Sequence, residues 1–214
     1  MMSNEIVTTE RPEMQPNVIN YEPIFPVLTA CVLLNLPVEE MVSGILKKAV
    51  DIKNHTGGYT TYFNRENIDG IEGVTQLKEA IYGISCSFGR ELKYELNYEK
   101  CALNVWANVM RKGDYHTMHT HPRSIFSGTF YARIDDTMSP LIIKNPINSN
   151  RMHEPVIVRP EDNTPFNASL MVIKPKVNIL HIWPSWLEHE VPEMEVGGPR
   201  VSFSFSVDFL LPGV

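Results

Sequence analysis

Histidines are the residues whose types and spacing promise chemistry. Six of the seven fall in the C-terminal half of the chain, and five of these, His116, His119, His121, His181 and His189, lie outside its long irregular stretch. His119 and His121 are two apart in Gly113-Asp-Tyr-His-Thr-Met-His-Thr-His121-Pro122. In an extended segment, alternate residues face the same way, so these two imidazoles would point to one side and chelate a single metal ion. Pro122 then ends the strand, having no N–H for a ladder. An isolated His-x-His also describes two packed or solvated histidines, so a third donor is needed. His189, in Trp183-Pro-Ser-Trp186-Leu-Glu-His189-Glu-Val-Pro192, is either a core histidine or that third ligand. As a ligand from a neighbouring strand it would complete a facial set that leaves coordination positions open.

A second group follows. In Arg200-Val-Ser-Phe-Ser-Phe-Ser-Val207, alternation puts Val201, Phe203, Phe205 and Val207 on the core face. Arg200, Ser202, Ser204 and Ser206 share the other face, which is solvated in most strands. Lining a barrel, Arg200 and Ser202 would form a carboxylate clamp, a bidentate guanidinium beside a hydroxyl. Such a clamp suits the distal end of a small dicarboxylic acid. Ser127, Thr129 and Tyr131 share one side of the run Ile125–Ile134, and Trp106 and Asn108 one side of Leu103–Met110. Among them, Ser127, Tyr131 and Asn108 are candidate co-substrate contacts.

The elements that must hold these groups are legible in outline. Residues 1–20 read as a loose polar arm and residues 21–214 as one domain, with 43% apolar and 21% charged residues overall. An extended run, Ile24–Leu36, precedes a helix opened by Pro37, whose apolar face is Val38, Met41, Val42, Ile45, Leu46, Ala49 and Val50. Asn54–Gly58 stops it. A second stripe, Val74, Leu77, Ile81, Ile84, Phe88 and Leu92, gives another packing helix. Beyond Cys101 the chain turns to short β-rich runs: Leu103–Met110, Ile125–Ile134, Leu141–Lys144, Pro155–Val158, Leu170–Ile173, Asn178–Trp183 and Arg200–Phe209. The expected fold is mainly β with flanking helices, a jelly roll backed by two N-terminal helices.

Ordered together, Trp106-Ala-Asn108, Gly113-Asp-Tyr, His119-Thr-His121-Pro, Ser127-Gly128 with Tyr131, Pro184-Ser-Trp186-Leu with His189, and Arg200-Val-Ser202 resemble a family of 2-oxoglutarate/Fe(II) oxygenases of marine bacteria and phages. The resemblance covers roughly residues 100–210. It implies a double-stranded β-helix binding Fe(II) through His119 and His189, with 2-oxoglutarate on the metal. Arg200, eleven residues after His189, would take the distal carboxylate with Ser202. It implies no catalytic residue beyond the metal ligands. The wider superfamily carries His-x-Asp/Glu in the first motif, and here His121 stands in the acidic position. Asp114, Glu188 and Glu190 have no spacing that replaces it, so His121 is the expected third ligand, with a pocket residue as its other role.

The implied activity is a dioxygenase that couples oxidative decarboxylation of 2-oxoglutarate to hydroxylation of a small-molecule or peptide substrate, using O2. Two rivals stand beside it: a cupin-type three-histidine dioxygenase needing no co-substrate, and a non-enzymatic jelly-roll binding module. A structural zinc would want a fourth ligand, for which His116 or His181 is available. Residues 59–72 and 145–168 read as loops that set specificity, and Trp106, Trp183 and Trp186 as pocket walls. His55 and His153 read as solvated. A net charge of −6 without a basic run argues against nucleic acid, and no apolar stretch spans a membrane. Three cysteines without paired spacing read as reduced core thiols of a cytoplasmic protein. A homodimer is left open by the apolar helix faces.

Overall fold

A computed structural model describes residues 25–48, 58–94, 96, 101–147, 164–165 and 168–209. In chain order the elements are β1 (Ala30–Leu33), α1 (Val38–Lys48), β2 (Tyr59–Thr60), a 3-10 turn (Arg65–Ile68), α2 (Val74–Glu91), β3 (Cys101–Met110), β4 (His116–His119), β5 (Ser124–Arg133), β6 (Leu141–Lys144), β7 (Leu170–Ile173), β8 (Ile179–Pro184), β9 (His189–Val191) and β10 (Arg200–Phe209). They form a six-stranded sheet, β1-β8-β5-β10-β3-β2, and a four-stranded sheet, β4-β9-β6-β7. All described strand pairs are antiparallel. This is the expected double-stranded β-helix.

The alternation in β10 decides which face of the large sheet is dry. Val201, Phe203, Phe205 and Val207 are buried in one cluster with Met41 and Ile45 of α1 and Leu77, Ile81 and Phe88 of α2. Both helices therefore cover the sheet's outer face, and their apolar stripes are packing surface. Truncating a ring such as Phe203, fully buried, would cost about 3–5 kcal/mol. Glutamates 39 and 40 in the first turn of α1 and lysines 47 and 48 in its last turn suit the helix dipole. The ring of Phe205 crosses Gly128 of β5 so closely that a Cβ there would lie 2.2 Å from Phe205 Cζ and 2.3 Å from the His181 carbonyl oxygen. Only glycine lets β5 and β10 pair at that point.

Several boundaries differ from expectation. The run Ile24–Leu36 pairs only over Ala30–Leu33. The two-residue strand β2 is an addition, since so short a run shows no period; the strand expected to run to Pro122 ends at His119 as β4, and the neighbouring strand expected to carry His189 is the three-residue β9. The N-terminal arm, Asn54–Gly57, Pro155–Val158, His55 and His153 lie outside the described residues. Cys101 is buried as expected, whereas Cys31 is exposed on edge strand β1, where a side chain can turn outward. Among the described residues no helix is long and apolar enough to cross a membrane.

Candidate active site

Strands β4 and β9 exist to bring two histidines together. Their register pairs His119 with His189, whose ring centres are 4.3 Å apart. His121 lies two residues past the end of β4, not within it. Its N–H donates to the Ser185 carbonyl at 3.1 Å, and its own carbonyl accepts from Ser124 N–H at 3.2 Å. Those two bonds hold its ring 5.0 Å from His119 and 5.2 Å from His189. One ligand atom of each histidine falls within 4.8 Å of the others.

The imidazoles are also set in the right chemical state. His119 Nδ1 lies 2.7 Å from the Thr117 carbonyl and His189 Nδ1 lies 2.9 Å from the Leu187 carbonyl. A carbonyl only accepts, so Nδ1 carries the proton on both rings and Nε2 keeps its lone pair for a metal. Burial, then the neighbouring His119, pushes His121 down to about 4 and His189 to about 3. Both are neutral imidazoles at neutral pH. Trp183 packs edge-on against His189 at 4.9 Å. No carboxylate joins this group among the described residues: Asp114 caps the Arg111 N–H, and Glu188 pairs with Lys144. Glu190 lines the cavity without joining the set, and neither His116 nor His181 supplies a fourth ligand.

The three histidines open into a cavity of about 420 Å³ whose floor is the polar face of β10. Arg200 sits at the deep end, 2% exposed. Its Nη1 donates to Ser202 Oγ at 3.3 Å and reaches Met110 Sδ at 3.5 Å, while Nε is buried without a partner. The guanidinium lies 5.3 Å over the Tyr131 ring. Tyr131 is fully buried, its hydroxyl has no partner, and burial raises it to about 12, so it is a neutral donor.

Asn108 also lines the cavity, but its amide is engaged: Oδ1 accepts from Thr60 Oγ1 at 2.8 Å and Nδ2 donates to Ser204 Oγ at 3.1 Å. Ser127 is not brought to the cavity; its hydroxyl bonds Ser185 Oγ at 2.7 Å. Trp106 and Trp183 form walls as expected, but Trp186 is 57% exposed and lines nothing. Its neighbours Ser185 and Leu187 turn inward, which leaves Trp186 on the outer side of the turn. The specificity loop expected at residues 59–72 reaches the site through Tyr62, Phe63 and Arg65, none of them singled out by the sequence alone. The aromatic run Tyr59–Phe63 was the signal available.

Residues 104–206, the span that carries every one of these groups except those of the 59–72 loop, match the model of a family described as "Putative 2OG-Fe(II) oxygenase". The match, to just under half of the chain, makes these strands similar to those of iron- and 2-oxoglutarate-dependent oxygenases. Solved structures share this fold at low identity. A prolyl-4-hydroxylase from Pseudomonas putida is 12% identical with a TM-score of 0.58, over 84% of this chain and 91% of that one. AviO1 from Streptomyces viridochromogenes is 10% identical with a TM-score of 0.59, over 88% and 91%. HygX from Streptomyces hygroscopicus, with nickel and 2-oxoglutarate bound, is 8% identical with a TM-score of 0.57, over 85% and 83%. No curated protein matches the chain.

The residues present fit both groups that such an oxygenase employs, Fe(II) and 2-oxoglutarate. Three imidazoles on one side of an open cavity form a facial set with room for further ligands. A buried guanidinium without an acidic partner among the described residues is costly in a folded chain and calls for an anion. A carboxylate at Arg200 would answer that need and find Tyr131 and Ser202 beside it.

Proposed function

We propose that His119, His121 and His189 hold the iron, and that Arg200, Ser202 and Tyr131 hold the distal carboxylate of 2-oxoglutarate. Oxidation then ends in hydroxylation of a small-molecule or peptide substrate. The observation that carries this reading is Arg200, a fully desolvated cation with an unpaired Nε, in the same cavity as three clustered histidines, two of which are held by Nδ1 so that Nε2 faces away from the backbone.

When bound, iron with 2-oxoglutarate and O2 supplies the oxidant, and the keto acid leaves as succinate and CO2. The chain's own residues orient and exclude water. Thr117 and Leu187 carbonyls fix two imidazoles so that their lone pairs converge. Arg200 fixes one end of the co-substrate by charge, and the Ser202 and Tyr131 hydroxyls add direction. Trp106 and Trp183 dry the walls, which strengthens every polar contact between them. Ser127 takes no part in this set, since its hydroxyl braces Ser185 and thereby the His121 backbone. Asn108 is a wall residue that orders the polar face of β10.

The three-imidazole set also suits an oxygenase that needs no co-substrate, but such an enzyme has no use for a buried carboxylate clamp beside its metal. Both substrate classes stay open on the fold: one neighbour is a prolyl hydroxylase in complex with a peptide, and another binds hygromycin B. The test is Fe(II)-dependent release of succinate from 2-oxoglutarate in the absence of any other substrate. Slow release, lost in His119→Ala, is expected. Succinate formation that persists in that variant contradicts the ligand assignment.

A further inference from the structure

The cavity has a second cation at the end away from Arg200. Arg65, on the 3-10 turn, lines it together with Tyr62, Phe63 and Trp106. Arg65 Nη1 donates to Asn104 Oδ1, and Asn104 Nδ2 donates to Asp208 Oδ2 at 2.6 Å. Asp208 Oδ1 accepts from the hydroxyls of Ser124 and Ser206. Asp208 is thus satisfied by three neutral side chains. Arg65 enters no ion pair among the described residues, and its Nε is buried without a partner. The Nε–Nη2 edge of the guanidinium, the side-on edge that pairs with a carboxylate through two parallel bonds, is the one free of the bond to Asn104.

An aromatic wall connects this cation to the histidines. Ring centres step from His121 to Trp106 by 5.8 Å and from Trp106 to Tyr62 by 5.1 Å, and the Arg65 guanidinium lies 4.9 Å over Tyr62. Phe63, 78% exposed, stands edge-on to Tyr62 at the mouth. An exposed aromatic pair at the rim of a polar cavity marks a contact surface for a ligand.

We infer that Arg65 and the Tyr62–Trp106 wall form the substrate subsite, and that the oxygenase acts on a small carboxylic acid with a flat or apolar body. The body lies along the wall, one end near the histidines and its carboxylate on Arg65. This rests on the proposed reading of the cavity as the oxygenase site. A monoanion is the fitting charge. Arg65 is a single cation, and Asp208 sits one side chain away, so a phosphate dianion would meet repulsion that a carboxylate largely avoids. The size of the cavity suits a free small molecule.

The test uses the protein loaded with Zn(II) and saturating 2-oxoglutarate, so that Arg200 is occupied and no turnover occurs. Saturation-transfer NMR compares 3-phenylpropionate with 3-phenylpropionamide, and indole-3-acetate with its amide. Each acid is expected to bind at least about tenfold tighter than its amide, as a charge-assisted pair allows. Arg65→Met should abolish that preference while leaving transfer to 2-oxoglutarate unchanged, and Arg65→Lys should retain part of it. Tyr62→Leu should weaken acids and amides alike. Acids and amides that bind equally, or acids that do not bind a protein that does bind 2-oxoglutarate, overturn the subsite. Absence of transfer to 2-oxoglutarate in the unsubstituted protein is a separate failure, because it removes the oxygenase reading underneath.

Discussion

His119 and His189 are direct cross-strand partners on β4 and β9, and each ring is oriented by the carbonyl two residues before it. The same local device on two antiparallel strands aims two lone pairs at one point. His121 completes the set from a turn, where neither a strand register nor an Nδ1 anchor of this kind fixes it.

That difference separates the three proposed ligands experimentally. His119→Ala and His189→Ala each remove an oriented donor and should abolish Fe(II) binding, measured by metal content after dialysis. His121→Asp places a carboxylate where the wider superfamily has one, and should preserve or tighten Fe(II) binding. Loss of metal in His121→Asp as complete as in the alanine variants would show that His121 is not at the carboxylate's position.

Tyr131→Phe removes a buried hydroxyl that has no partner in the unliganded chain. Thermal stability of the free protein should therefore hold or rise, since an unsatisfied buried polar group costs about 1–3 kcal/mol. Affinity for 2-oxoglutarate should fall by about 1 kcal/mol, roughly fivefold. A free protein destabilised by the change would place an unseen partner on that hydroxyl.

Acid should unfold the metal-free protein early. His116 and His121 are pushed down to about 4 and His189 to about 3, chiefly by burial, with Arg200 and His119 adding repulsion at His116. In the unfolded chain these groups take up protons near 6.5. Between those values the unfolded state binds more protons, so stability is full above pH 6.5 and declines as pH falls toward 4. Denaturant midpoints measured from pH 7.5 to 4.5 should drop steadily, and His189→Asn should flatten the lower part of that slope. A midpoint independent of pH over this range would contradict neutral burial of the three rings.

How much of this was legible follows from element length and contact range. The ten-residue strand Arg200–Phe209 alternates so regularly that both its core face and its clamp face were readable. The helix stripes were readable for the same reason. Three-residue β9 and four-residue β4 have no period to read, so the motif His119-x-His121 was assigned to one strand although His121 lies beyond it. Ser127 is displaced from the cavity by a long-range contact and Trp186 by a local turn. Ser127 is claimed by Ser185, 58 residues away, and Trp186 by the curvature of the turn that Ser185 begins. The Arg65–Asn104–Asp208 relay joins three distant segments and leaves no local pattern.

Arg200 is buried without a carboxylate partner among the described residues, and we propose that 2-oxoglutarate supplies one. Anaerobic titration of the Fe(II)-loaded protein with 2-oxoglutarate, followed by the weak visible band of a chelated keto acid, tests it most directly. A saturable band is expected, with affinity reduced in Arg200→Ala by about 2–5 kcal/mol while Fe(II) binding is retained. No band from a protein that holds iron, or tight binding that survives Arg200→Ala, would contradict the account.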